Sequence, residues 1–174
     1  MRSPILHTKL YAARVRGRTV PRPRLTEHLT NFVTGGRLLL ISAPAGFGKT
    51  TTLAQWVQTL SADAATGVTT GAGPEPGQDT GSFRPGDPAV AQTTNPPAVV
   101  AWLSLDPVDN EPGRFCAYVF AAFQHASPGL GADQLQRLQQ QAPATTAADA
   151  TPLIAELLND IADLAQDVVL VLED

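Results

Sequence analysis

Two kinds of apolar pattern take turns along this chain. Leu38-Leu39-Leu40-Ile41, Ala98 to Leu105 and Val168 to Leu172 are nearly unbroken apolar runs. Runs this short and this continuous predict strands buried on both faces, as in a parallel sheet covered by helices. The first such strand is placed at Arg37–Ser42. Between the runs, apolar residues recur at helical spacing. Leu25, Leu29, Phe32 and Val33 predict a helix over about 24–34, capped by Thr26 or the residues before it and ended by Gly35-Gly36. Leu53, Trp56, Val57 and Leu60 predict a helix over 50–60. Phe115, Val119 and Phe123 predict another over about 112–125, capped by Asn110 or Glu111 with Pro112 in its first turn. A glutamine-rich helix at about 131–141 has only Leu135 and Leu138 as anchors. Residues 142–150 read as a loop. Leu153, Leu157, Ile161 and Leu164 predict a last helix that Thr151-Pro152 starts and Asp167 ends. The succession predicts an α/β fold: three layers, α/β/α, around a parallel sheet of about three strands.

Two segments break the pattern. Pro4, Pro21 and Pro23 disfavour helix before them, so residues 1–23 read as an extended arm. Residues 61–97 are rich in Gly, Pro, Thr, Asp and Ala, with almost no large apolar side chain. They read as a disordered surface insertion, tolerable because loop-closure entropy grows slowly with length. The remainder, 24–174, reads as one domain.

The most specific chemistry lies where the first apolar run meets a helix. Ala43-Pro-Ala-Gly-Phe-Gly-Lys-Thr50 is a phosphate-binding P-loop, with Ala43 where the pattern usually has glycine. Gly46 and Gly48 tolerate positive φ and let backbone approach phosphate oxygens. Successive N–H groups of Ala43, Pro44, Ala45, Gly46, Phe47, Gly48, Lys49, Thr50 and Thr51, proline excepted, are the candidate cradle, reinforced by the positive end of the following helix. Lys49 is expected to reach the β- and γ-phosphates, and Thr50 to place its hydroxyl on Mg²⁺. Phe47 reads as a shielding ring at the loop tip. The expected ligand is ATP with Mg²⁺.

An apolar strand that ends in acids is the expected second half of such a site. Glu173-Asp174 follows Val168–Leu172. One carboxylate would hold Mg²⁺ and its neighbour would polarise the attacking water. The spacing leaves open which does which, so Lys49, Glu173 and Asp174 are the catalytic candidates, with Thr50, Glu173 and Asp174 for the metal. Asp106, Asp109 and Glu111 read as turn and cap residues. His7, His28 and His125 are scattered, without the spacing of a zinc site.

Composition narrows the setting. Hydrophobic residues make up 43% and charged residues 16%, which suits a globular domain. The single cysteine, Cys116, excludes an internal disulfide and fits a reducing, cytoplasmic setting. It sits in an apolar helical stretch, where packing is its expected role. No run has the length of a membrane span. The net charge of −4 conceals a basic start, since Arg2, Lys9, Arg14, Arg16, Arg18, Arg22 and Arg24 all precede Glu27. Such a start suits a transit peptide or a nucleic-acid arm.

A family pattern in the same segment weighs against both. Leu6-His-Thr-Lys-Leu10, Val20-Pro-Arg-Pro-Arg-Leu25, the P-loop through Thr51 and Ala54-Gln-Trp56 resemble the start of the large ATP-binding LuxR-type transcriptional regulators. These are the MalT-like members of the STAND class of P-loop ATPases. Ala101-Trp-Leu-Ser-Leu-Asp106, Asp109-Asn110 and Pro112-Gly-Arg-Phe115 resemble the family's next block, and Val168 to Asp174 its Walker B block. The resemblance implies a nucleotide switch, with ATP and an inducer favouring a self-associating form and hydrolysis resetting it. It also implies DNA and inducer as partners of full-length relatives, through parts that lie outside this chain, and no nucleic-acid site within it. In related folds a later strand separates the P-loop strand from the Walker B strand. The chain is therefore expected to be an N-terminal fragment, poorly stable and weak in nucleotide binding. Competing expectations are a P-loop small-molecule kinase and an inert truncated fragment.

Overall fold

Two parallel strands, β1 (Val99–Ser104) and β2 (Val168–Glu173), pair in register from Val99 with Val168 to Ser104 with Glu173. The computed structural model describes residues 5–15, 19–33, 38–66, 98–140 and 146–174. Among the described residues five α-helices surround the pair: α1 (Pro23–Val33), α2 (Lys49–Thr66), α3 (Pro112–Ala126), α4 (Ala132–Gln140) and α5 (Ala147–Ala162).

Strand alternation divides the molecule into layers. Val100, Trp102, Val169 and Val171 join Leu29 of α1 and Trp56 of α2 in one apolar cluster. Ala101, Leu103, Val168 and Leu170 face the other way. They join Phe120 and Phe123 of α3, Leu135 and Leu138 of α4, and Leu153 and Leu157 of α5. Both faces of the strands are thus covered, as their unbroken apolar runs require. The result is a mixed α/β fold, compatible with the P-loop class.

The expected first strand is absent. Residues 38–44 have no regular secondary structure, and the described sheet has two strands rather than three. Leu38 and Leu40 are 87% and 84% exposed, while Leu39 packs against the α1–α2 cluster. A cavity of about 480 Å³ separates residues 38–41 from β2, floored by Leu29, Leu53 and Trp56. Ladder hydrogen bonds need strands about 4.8 Å apart, and β1 occupies only one edge of β2. The apolar run Leu38–Ile41 therefore has strand composition without a strand partner among the described residues.

Other boundaries moved for local reasons. The arm is not extended throughout, because His7–Leu10 forms a 3-10 turn with Lys9 and Leu10 buried. Pro23 belongs to α1 at its first turn, where its missing N–H costs nothing. The proposed insertion starts too early, since α2 continues to Thr66; residues 67–97 lie outside the described residues. So do Gly35 and Gly36. Helix α5 begins four residues before Thr151-Pro152, which overturns part of the 142–150 loop; 141–145 lie outside the described residues. The Asp149 carboxylate accepts from the Thr146 backbone N–H at 2.9 Å and from its hydroxyl at 2.7 Å. This turn closes the helix start ahead of Pro152, which sits inside the helix. The helix ends at Ala162 with Asp163 as cap, short of Asp167, and Leu164 packs on the core from outside it.

Between α3 and α4 the chain turns through Gly129 and Gly131, both at positive φ. At Gly131 a Cβ would lie 2.7 Å from the Phe120 carbonyl oxygen, so only glycine allows this approach of backbone to α3.

Candidate functional site

The loop after Ile41 takes the form its glycines allow. Gly46 and Gly48 both adopt positive φ, at 83° and 82°. The Phe47 N–H donates to the Pro44 carbonyl at 3.4 Å, and α2 starts at Lys49. The Thr52 N–H reaches back to Gly48 O at 2.9 Å, so the N–H groups just before it have no partner within the helix. Pro44, Ala45, Gly46, Phe47 and Thr51 are exposed; Ala43, Gly48, Lys49 and Thr50 are half-buried. Phe47, 63% exposed, makes the loop tip.

Lys49 Nζ donates to the Ala43 carbonyl at 2.8 Å, spanning the loop from its helix end to its start. The Thr50 hydroxyl donates to Glu173 Oε1, joining residues 123 apart in the chain. The structure thereby separates the two terminal acids: Glu173 is half-buried and engaged, Asp174 is exposed. Strand alternation explains this, since Glu173 lies on the same face of β2 as Val171, toward α2.

Three further residues border the site. Ser104, the register partner of Glu173, donates to its Oε2 at 3.2 Å and accepts from Trp102 Nε1 at 3.1 Å. Ser104 lies inside the Ala101–Asp106 block but is not among the site candidates that the sequence offers. Its signal was a polar residue closing an apolar strand, two places after Trp102. Arg22 Nη1 donates to Phe47 O at 3.4 Å, and its other terminal nitrogen is the nearest atom to a Cβ built on Gly48. The carbonyl of Arg22 accepts from Leu25 and Thr26 at the start of α1.

The arm that carries Arg22 is fastened at two points. Thr19 Oγ1 accepts from Gln55 Nε2 of α2 at 2.6 Å. Further up, the Lys9 ammonium pairs with Asp109 and, at 2.7 Å, with Asp106; Arg114 Nε meets the other Asp109 oxygen at 3.0 Å. Burial alone would lower the Lys9 pKa, but its hydrogen bonds to the Asp106 and Asp109 carboxylates outweigh it and hold it above its ordinary value. Burial likewise pushes the Asp109 carboxyl up, and its bonds to Lys9, the Asp106 N–H and Arg114 hold it below. Asp109 thus combines turn duty with an ion pair across the chain. Glu111 caps α3, accepting from the N–H groups of Gly113 at 3.0 Å and Arg114 at 2.7 Å. Cys116 is buried, and that burial pushes its thiol pKa up, as suits a packing residue.

A strand-side acid bonded to the hydroxyl of a glycine-loop helix, in a mixed α/β frame, defines a class compatible with the P-loop proteins. Comparison with known proteins makes the relationship narrower. The chain is 31% identical over 158 residues to the HTH-type transcriptional regulator MalT of Serratia proteamaculans, covering 90% of this chain and 13% of that protein. It is 30% identical over 156 residues to MalT of Cronobacter sakazakii, with the same shares, and 35% identical over 111 residues to MalT of Yersinia enterocolitica, covering 64% of this chain and 8% of that protein. No family model and no solved structure matches it. Over the region it spans, the chain is similar to the MalT-like transcriptional regulators, and it covers about an eighth of their length. Among the described residues no helix is long and apolar enough to cross a membrane.

Proposed function

We propose that this chain forms the nucleotide-binding part of a MalT-like transcriptional regulator, binding ATP with Mg²⁺ and hydrolysing it slowly as a switch. The observation that carries the reading is the contact between Thr50 and Glu173. A strand-end acid and the hydroxyl after the P-loop lysine have little reason to meet except to share a site.

The donor set fits Mg²⁺: a hydroxyl and a carboxylate are hard oxygen ligands, and this ion takes one or two protein ligands beside water and phosphate oxygens. Thr50 and Glu173 would hold it. When bound, Mg²⁺ supplies charge neutralisation across the phosphates. The chain's own residues do the rest. Lys49 exchanges its bond to the Ala43 carbonyl for phosphate oxygens, and the backbone of 46–51 binds those oxygens from the helix side. Asp174, exposed and next in the chain, accepts a proton from water. In the whole protein, binding of DNA and an inducer and self-association belong to regions beyond those aligned here.

Binding of a fluorescent ATP analogue to the chain and to Lys49→Ala tests the reading. The expected result is loss of detectable binding in the variant, since the lysine is the only mobile cation inside the loop. If the variant binds as tightly as the parent, the assignment of the loop is wrong.

A further inference from the structure

We propose that Ser104 is a positioning residue for the Glu173 carboxylate, fixed in turn by the indole of Trp102. The inference rests on the nucleotide-site reading above and names a residue which that reading does not use.

Ser104 and Glu173 are Cα partners across the parallel pair, and the Leu105 N–H bonds to the Glu173 carbonyl at 2.7 Å. Backbone pairing therefore holds the two side chains next to each other whatever else moves. Alternation puts Trp102 on the same face two residues earlier. Its ring is buried among Leu29, Trp56 and Val171, so the indole N–H has a fixed direction. That N–H fills an acceptor site on Ser104 Oγ, which turns the hydroxyl proton toward Glu173 Oε2.

The two carboxylate oxygens are divided as a result. Oε2 is tied to the sheet through Ser104, and Oε1 is presented to Thr50 on α2. A glutamate has three side-chain torsions, and one held oxygen removes most of their freedom. Without Ser104 the same carboxylate could turn Oε1 away from the helix. Losing a partner that orients a metal-binding carboxylate without touching the metal commonly costs about 10–100-fold in metal affinity.

The test uses the 174-residue chain and a trinitrophenyl-ATP probe. For each variant, probe affinity is measured in EDTA, and the MgCl₂ concentration giving half of the metal-dependent change is measured separately. Ser104→Ala is expected to raise the required MgCl₂ about tenfold while leaving the EDTA affinity within about twofold of the parent. Ser104→Thr, which keeps the hydroxyl, is expected to stay close to the parent in both. An unchanged magnesium requirement in Ser104→Ala overturns the proposal. So does an equal loss of affinity in EDTA, which would mark Ser104 as a packing residue. A parent chain that binds no probe at all sinks the nucleotide-site reading itself, and is told apart by needing no variant.

Discussion

Removing the Lys9 charge gives the sharpest test of how the arm is held. Lys9 is 7% exposed and Asp109 2%, so this pair is largely out of water. Orphaning one partner of a buried pair costs about 3–5 kcal/mol. In Lys9→Met, however, Asp109 keeps Arg114 Nε at 3.0 Å and the Asp106 N–H at 2.8 Å. The loss should therefore shrink to about 2 kcal/mol, the scale of one hydrogen bond between charged groups. The Lys9–Asp106 contact adds little, because the Asp106 side chain is 58% exposed. Tyr118, whose ring centre lies 5.0 Å from the ammonium, contributes about 0.5–1 kcal/mol more. Asp109→Asn removes the charge that serves both cations and should cost about 3 kcal/mol. In the double variant the losses should overlap, with a coupling of about 1–2 kcal/mol. Urea unfolding followed by tryptophan fluorescence measures all four species. Deuterium exchange at the amides of Leu6 to Leu10 separates local release of the arm from global unfolding. Additivity within about 0.5 kcal/mol, or unchanged exchange in Lys9→Met, would refute the idea that this ion pair anchors the arm.

The same pair sets a pH window. The Asp109 carboxyl lies below its ordinary value of 3.8, so its contribution is complete above 3.8 and is lost as pH falls through the lower folded value. The Lys9 ammonium lies above its ordinary 10.5, so its contribution is complete below 10.5 and is lost as pH rises through the higher folded value. Exchange at Leu6 to Leu10 should accordingly stay protected from pH 3.8 to 10.5, after correction for intrinsic rates, and rise only outside it. Gly131→Ala should destabilise by roughly 2 kcal/mol or more, because the new Cβ meets Phe120 O at 2.7 Å as well as requiring positive φ. Gly129→Ala has open space and only the φ cost, about 1 kcal/mol; equal losses in the two melts would refute the steric account. Pro152→Ala should stabilise by about 1 kcal/mol, since it restores an N–H inside α5, and a lower melting temperature would show that the proline is needed there.

The loop geometry and several helix boundaries could be read from the chain because their signals are local. Gly46 and Gly48 are free to take positive φ, and both do so. Glu111 stands directly before Pro112, and it caps α3. The helical periods around Phe115–Phe123 and Leu135–Leu138 placed α3 and α4 to within a residue or so. The errors came where a neighbour decided the outcome. Thr151-Pro152 is a plausible helix start in isolation, but Thr146 and Asp149 form a better one upstream. The arm reads as extended because Pro4, Pro21 and Pro23 disfavour helix, and nothing local shows that Lys9 has partners 97 and 100 residues further on, in Asp106 and Asp109.

By itself, the sequence determined which segments are apolar enough to be strands or helices, where the glycine loop bends, and which acids follow the last apolar run. These follow from side-chain shape, backbone freedom and hydrophobic period. Only the tertiary structure decided that Leu38–Ile41 joins no strand among the described residues, that Glu173 rather than Asp174 meets Thr50, and that Ser104 holds the second carboxylate oxygen. Strand pairing and side-chain partnership depend on residues far apart in the chain. No local pattern fixes which edge of β2 is occupied, or which face of the sheet the glutamate shares with the helix that carries the loop.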